Sequence, residues 1–141
     1  MTMDLGVETL LSPSAALANQ LVERAVSYGC SLGIYVAASV CDTTGRAIAT
    51  LMHPNAASQC AAIAQDKASI SAGFRLNSDE LYQSIKGTEA LKLGLTTRRG
   101  FALFGGGMPV IVNGQAVGGI GVSGGSEAQD VDCVRHALAG C

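Results

Sequence analysis

The segment Gly118–Asp130, which reads GGIGVSGGSEAQD, has the G-x-G-x-x-G spacing through Gly119, Gly121 and Gly124. In a dinucleotide-binding unit this spacing forms the first turn between a strand and a helix, and an acidic residue about 20 positions later binds the ribose. The 141-residue sequence stops before such an acid, and no strand pattern follows its final helical segment. The surrounding sequence therefore argues against a nucleotide site, so the glycines are expected to have another role.

Gly118, Gly119 and Gly121 lie within an apolar run that predicts a strand. Glycine weakens a strand because it offers no side chain to pack, so these positions indicate the close approach of a helix, a subunit or a flat ligand. The residues Ser123–Gly125 predict a tight turn into a helix, and backbone N–H groups at a helix start can hold an anion. The alternative is a plain turn and cap, in which Glu127 satisfies the helix dipole.

Single side chains of the types that binding chemistry needs lie elsewhere in the sequence. His53 leaves a predicted strand at a boundary where ligands often bind, the alternative being a solvent-facing loop histidine. Lys67, in an Ala-rich helix beside Asp66, is typical of a solvated face. Asp130 either stabilises the start of the last helix or holds the glycine turn or a ligand. His136 lies off the apolar stripe of that helix and is expected at the surface.

Helical patterns flank and separate the predicted strands. The first helix is expected to have Ser12 as its N-cap and Pro13 at its first helical position, and to end near Gly29. An Ala-rich helix and two short helices follow in the segments NAASQCAAIAQDKASISAGF, NSDELYQSIKG and TEALKLGL. The final helix is expected to begin at a capping box formed by Ser126 and Gln129.

Strand patterns predict two hairpins and one short additional strand. GIYVAASVCD alternates apolar positions and returns as AIATLMH, and Asn113-Gly114 joins MPVIV to QAVGGIGV through the strongest short hairpin signal. GFALFGGG indicates a further short strand. Because hairpins pair antiparallel, we expect an α+β fold in which an antiparallel sheet of about five strands is flanked by helices, in a single domain over residues 1–141.

Composition limits the classes of partner. Hydrophobic residues make up 48% of the chain and charged residues 14%, which favours subunit interfaces and hence a homo-oligomer. With a net charge of −2 and no basic patch, nucleic-acid binding is not expected. No apolar run reaches membrane-spanning length and no basic leader precedes an apolar stretch, so the expected location is cytoplasmic. The odd number of cysteines, five without a C-x-x-C pair, favours free thiols, with Cys141 exposed.

The C-terminal segment GGGMPVIVNGQAVGGIGVSGGSEAQD resembles the signature of the GlcG/HbpS-like haem-binding family, which includes the C-terminal domain of PduO-type proteins. IAQDKASISA resembles the middle helix of that family, with Lys67 at its recurrent lysine, and VCDTTGRAIATLM resembles its first hairpin. The resemblance covers Leu17 to Leu138. In the loop MHPNA, His53 replaces an acidic residue of the family pattern, and Cys60 stands where a serine is common.

The resemblance implies a profilin-like α+β fold, assembly into oligomers that are often octamers, and binding of haem or another tetrapyrrole such as a corrinoid. His53 and Met52 are then the candidate axial ligands of haem iron, because imidazole and thioether both serve in that role. The positions that match the family pattern are the candidate ligand-binding residues: Lys67, Gly107, Pro109, Gly121, Ser123, Gly124, Gly125 and Asp130.

Three functions remain open at this stage. The first is a small-molecule-binding accessory protein of bacterial catabolism that binds a tetrapyrrole at a subunit groove. The second is an enzyme acting on a small hydroxy-acid, diol or aldehyde, in which Lys67 and the amides near Ser123 bind the anionic end and Asp130 or His53 moves protons. The third is a structural or chaperone-like partner of a diol or glycerol catabolic complex. The absence of H-E-x-x-H, G-x-S-x-G and P-loop patterns favours a binding protein over an enzyme.

Overall fold

The computed structural model describes residues 5–140 and contains a four-stranded antiparallel sheet with the strand order β2-β1-β4-β3. Helices lie on both faces of this sheet. In chain order the elements are α1 (Ala15–Ser31), β1 (Ala37–Asp42), β2 (Ala47–Met52), α2 (Cys60–Phe74), α3 (Ser78–Ile85), α4 (Glu89–Thr96), β3 (Gly107–Val112), β4 (Gln115–Ser123) and α5 (Glu127–Leu138). The predicted α+β class, an antiparallel sheet flanked by helices, is confirmed.

The central strand β1 is buried at every residue because helices cover both of its faces. On one face Ala38 and Val40, with Val36 just before the strand, belong to the main apolar core, which α1 and α5 complete. On the other face Ala37 and Cys41 contact α2. The alternating pattern in the sequence correctly indicated a strand, but the residues on both of its faces are small or apolar enough to be buried.

The start of α1 differs from the sequence prediction. Ser14 is the N-cap, since its hydroxyl accepts a hydrogen bond from the Leu17 N–H at 3.0 Å. The predicted cap, Ser12, instead donates its hydroxyl to the carbonyl of Pro13 at 2.9 Å. Pro13 therefore precedes the helix, and the helix ends at Ser31 rather than near Gly29. At the other end of the chain, the predicted capping box of α5 is confirmed.

The sheet has four strands rather than about five, because the segment 101–106 forms no strand. At Phe104 and Gly105, side chains rather than a neighbouring strand form hydrogen bonds with the backbone. The hydroxyl of Ser78 donates to the Phe104 carbonyl at 2.6 Å, and the Glu127 carboxylate accepts from the Gly105 N–H. Gly106 adopts φ 119°, which breaks the extended conformation before β3 begins.

Both predicted hairpins are present. Asn113 and Gly114 form the turn between β3 and β4 with φ values of 50° and 77°, as a type I′ turn requires. In the β1–β2 hairpin, one carboxylate oxygen of Asp42 accepts from the N–H groups of Thr44 and Arg46 at 2.9 and 3.1 Å. These side-chain and backbone interactions fix the turns of the β1–β2 and β3–β4 hairpins.

The glycines of β4 allow helix α2 to lie directly on the sheet. A Cβ atom on Gly121 would meet the Ala64 carbonyl oxygen, and one on Gly119 would meet the Ala68 carbonyl oxygen. The close approach that these glycines indicate therefore comes from a helix of the same chain. β4 pairs antiparallel with both of its neighbours, so the G-x-G-x-x-G spacing lies outside the parallel strand–helix–strand unit that binds dinucleotides.

Most of the free cysteines within residues 5–140 are buried. Cys41, Cys60 and Cys133 are buried and Cys30 is exposed, whereas the predicted exposure of Cys141 falls outside the described residues. Burial raises the pKa of both the Cys41 and the Cys133 thiol to about 11. These two thiols therefore stay protonated at neutral pH and act as small apolar side chains.

The contact between α2 and β4 predicts opposite effects for two glycine substitutions. Gly121→Ala places a methyl group against the α2 backbone and is expected to lower the free energy of unfolding by about 1–3 kcal/mol or more. Gly73→Ala, within α2 itself, meets no atom within 4 Å and is expected to raise it by up to about 1 kcal/mol. Urea denaturation followed by circular dichroism measures both, and a Gly121→Ala protein as stable as the parent contradicts the packing described.

Candidate functional site

One end of the sheet gathers most of the candidate residues. The register places Ser123, the last residue of β4, opposite Ala37, which in turn lies opposite Met52 at the end of β2. Gly107, the first residue of β3, lies opposite Gly121. The loop containing His53, the glycine turn after β4 and the segment leading into β3 therefore meet at the same end of the sheet.

Lys67 is buried, with an exposed fraction of 1%, although it is a charged residue in the middle of α2. Its ammonium group donates to the Val122 carbonyl at 2.8 Å and to the Asp130 carboxylate at 3.1 Å. The ring of Phe104 covers it, with 4.8 Å between Nζ and the ring centroid. Lys67 thus joins α2 to β4 and α5 rather than presenting its charge to solvent.

Asp130 uses both of its carboxylate oxygens. Oδ2 accepts from Lys67, and Oδ1 accepts from the Gly125 N–H at 2.9 Å. The bond to Gly125 holds the turn in which Gly124 adopts φ 143°, and a Cβ atom on Gly124 would meet the Tyr35 carbonyl. Of the roles considered for Asp130, the structure shows it holding the glycine turn.

Burial acts on both charges of this pair. It lowers the pKa of the Lys67 ammonium, and the attraction of Asp130 opposes that shift. It raises the pKa of the Asp130 carboxyl, and Lys67 together with the N–H of Gly125 opposes that shift. Each charge is tolerated in the interior because the other is present, so the loss of either partner would leave an uncompensated buried charge.

The remaining predicted ligand-binding residues divide into buried and partly exposed positions. Gly107 donates its N–H to the Ser78 hydroxyl at 3.0 Å, and Gly121 lies under α2. Pro109 lies in β3, an edge strand where a missing N–H is tolerated. Gly124 is the exposed member of this group, and Gly125 is half-buried.

His53 lies just beyond β2, and its ring stacks on Tyr35 with 4.4 Å between the ring centroids. Its Nδ1 accepts a hydrogen bond from the Asn55 N–H at 3.0 Å, so the neutral imidazole carries its proton on Nε2. Among residues 5–140, no group forms a hydrogen bond with Nε2. His53 therefore presents an N–H donor at the surface, and ligation of a metal through Nε2 requires the bond to Asn55 to be lost.

Met52 and His136, also singled out from the sequence, lie in different surroundings from each other. The side chain of Met52 packs against the cluster of Ala37, Cys60 and Ala64, so its thioether is partly enclosed by α2. His136 is exposed, as predicted, and stacks on Tyr28 with 4.1 Å between ring centroids. In the part of the chain that the structure describes, no group of three or more His, Cys, Asp or Glu side chains is arranged to hold a metal ion.

Sequence reasoning did not identify the cavity next to the Lys67–Asp130 pair. This open cavity has a volume of about 440 Å³ and lies between α3, the end of α4 and the start of α5. Phe104, which covers Lys67, and Glu127, which holds Gly105, contribute to its wall. Neither residue belongs to a recurrent chemical motif, and the exposed fraction of 48% for an aromatic ring becomes evident only in the fold.

Residues 14–139 match the family model described as haem degrading protein HbpS-like. The chain belongs to this family. The resemblance inferred from the glycine-rich segment is thereby confirmed. Corrinoid adenosyltransferase PduO of Citrobacter freundii is 31% identical over 134 residues, which are 94% of this chain but 40% of that protein. The chain thus corresponds to less than half of this relative.

Two solved structures share the fold over nearly their whole length. Protein ORFY of Klebsiella pneumoniae is 26% identical and superimposes with a TM-score of 0.86, covering 98% of this chain and 96% of that one. The PduOC:heme complex is 28% identical with a TM-score of 0.84, covering 93% of this chain and 96% of that one. No helix within residues 5–140 of the present chain is long and apolar enough to cross a membrane.

The burial of Lys67 predicts its chemical reactivity. An amine-acetylating reagent is expected to modify Lys86, which is exposed, and Lys92, which is half-buried, while leaving Lys67 unmodified in the folded protein. Peptide mapping by mass spectrometry measures each site, and the same reaction in denaturant is the control in which all three are labelled. Labelling of Lys67 at the rate of Lys86 would show that it is accessible to a ligand.

Proposed function

We propose that this protein is a small-molecule-binding accessory protein that binds haem or another tetrapyrrole. Membership of the HbpS-like family and the similarity to PduOC, which has been crystallised with haem, support the proposal. The local feature that carries it is His53, a half-buried imidazole stacked on Tyr35 at the open end of the sheet. Imidazole is a common protein ligand of haem iron.

Two features near His53 favour tetrapyrrole binding, and one hydrogen bond there would have to break. The His53–Tyr35 pair offers a flat, partly apolar surface, and Nε2 has no partner among residues 5–140. Iron ligation through Nε2 would move the imidazole proton to Nδ1, which breaks the hydrogen bond from Asn55. Met52 is the weaker candidate, since its side chain packs towards α2. A bound haem would supply a redox-active iron at this end of the sheet.

The alternative of an enzyme acting on a small hydroxy-acid, diol or aldehyde receives less support from the geometry. That hypothesis assigned the binding of an anionic group to Lys67, whose ammonium is already engaged by Asp130 and Val122. It also assigned proton movement to Asp130 or His53, and Asp130 lies behind the glycine turn with an exposed fraction of 4%. No feature of residues 5–140 favours the third hypothesis, a structural partner of a catabolic complex.

We further propose that the protein is a homo-oligomer. Several large apolar side chains are exposed in the single chain, including Leu5 at 89%, Leu10 at 68% and Leu93 at 58%. Exposed apolar surface of this kind is typical of subunit interfaces. An octamer remains what the family resemblance implies, and a cytoplasmic location remains a prediction from the sequence.

Titration with hemin tests the proposal. A shift of the hemin absorption band is expected for the parent protein, and hydroxocobalamin in a parallel titration tests whether a corrinoid is bound instead. His53→Ala is expected to change the spectrum and weaken binding because it removes the imidazole. His136→Ala is the matched control, since His136 also stacks on a tyrosine, Tyr28, but does not belong to the His53–Tyr35 surface.

Absence of binding to both compounds would overturn the tetrapyrrole proposal. Binding with identical spectra for the two histidine variants would overturn the assignment of His53 while leaving tetrapyrrole binding in place. Light scattering on the same samples measures the mass in solution. A multiple of the 14.3 kDa chain mass supports the homo-oligomer, and a mass of 14.3 kDa contradicts it.

A further inference from the structure

The cavity of about 440 Å³ beside the buried ion pair is lined by carboxylates and aromatic rings. It lies between one face of α3, the last residue of α4, the segment that precedes β3 and the first residue of α5. Its wall shares no residue with the His53–Tyr35 surface. The side chains that line it are Asp79, Tyr82, Gln83, Thr96, Leu103, Phe104 and Glu127.

The charged groups of the wall are both carboxylates. Asp79 and Glu127 line the cavity, and among residues 5–140 no lysine, arginine or histidine does so. The Lys67 ammonium, which contacts the Phe104 ring of the wall, is paired with Asp130. An anionic ligand would therefore meet two like charges without a compensating cation.

The two helix N-termini at the cavity do not alter this conclusion. The start of α3 is closed by a capping box in which Asn77 and Glu80 bond each other's backbone N–H groups. The start of α5 is closed in the same way by Ser126 and Gln129. At each helix start, side chains of the chain itself accept from amides of the cap, which leaves fewer amides to attract an anion beside the two carboxylates.

Two aromatic rings contribute the other recognition element. Tyr82 is 36% exposed and Phe104 is 48% exposed, and both line the cavity, with Leu103 beside them. Aromatic faces attract organic cations through their quadrupole, and carboxylates add a direct charge attraction. Glu127 is held in place by the bond from the Gly105 N–H to its Oε2, which leaves Oε1 for a ligand.

We propose that this cavity binds a small organic cation, a primary amine or a quaternary ammonium group on a short carbon chain. The cation lies between the carboxylates of Asp79 and Glu127, and its carbon atoms contact Tyr82 and Phe104. The proposal is independent of tetrapyrrole binding, because it uses different residues and a ligand of opposite charge to the haem propionates.

The test compares choline with 3,3-dimethyl-1-butanol, its neutral isostere, on the full chain by NMR titration. Choline is expected to shift the amide signals of Tyr82 and Phe104 and to bind more tightly than the neutral compound, with an affinity that falls as salt rises. Asp79→Asn, Glu127→Gln and Phe104→Leu are each expected to weaken choline binding by about 2- to 5-fold. Glu127→Gln keeps an oxygen that can accept from Gly105.

Glu89→Gln is the matched control, because it removes one negative charge at an exposed position outside the cavity wall and is expected to leave choline binding unchanged. Equal affinity for choline and the neutral isostere, or shifts confined to residues outside the wall, would overturn the proposal. The comparison of the two ligands on the parent protein remains decisive if a variant fails to fold. Hemin binding has a separate readout, so failure of either proposal is recognised independently.

Discussion

The ion pair between Lys67 and Asp130 connects the layers of this fold at one point. It links α2 on one face of the sheet to α5 on the other, and Lys67 also bonds the carbonyl of Val122 in β4 between them. A charge in the interior is costly unless it is paired and hydrogen-bonded, so the two side chains constrain each other's position. The glycine turn depends on the same carboxylate through Gly125.

The glycines of β4 and the buried lysine are parts of the same arrangement. Because Gly121 has no side chain, the backbone of α2 lies directly on β4, and this short distance brings Lys67 within reach of Val122 and Asp130. Phe104 then closes the site from outside and forms the wall of the adjacent cavity. Residues that match the family pattern thus mainly build the framework, and the surfaces open to ligands, at His53 and at the cavity, lie beside it.

Local signals in the sequence predicted the elements well. The Asn113-Gly114 turn and the capping box at Ser126 depend on backbone preferences within a few residues, and both were confirmed. The short strand predicted in GFALFGGG is absent because side chains distant in sequence, Ser78 and Glu127, bond the backbone of Phe104 and Gly105. The partner of Lys67 is 63 residues away, so no local pattern could distinguish a buried lysine from a solvated one.

A double-mutant cycle between Lys67 and Asp130 tests the central claim most directly. Lys67→Met and Asp130→Asn each leave one buried charge unpaired, and each is expected to lower the free energy of unfolding by about 3–5 kcal/mol. Asparagine keeps an acceptor for Gly125, so the double variant isolates the charge pair. Urea denaturation should show the double variant losing less stability than the sum of the single variants, with a coupling above about 1 kcal/mol. Additive losses would contradict the account.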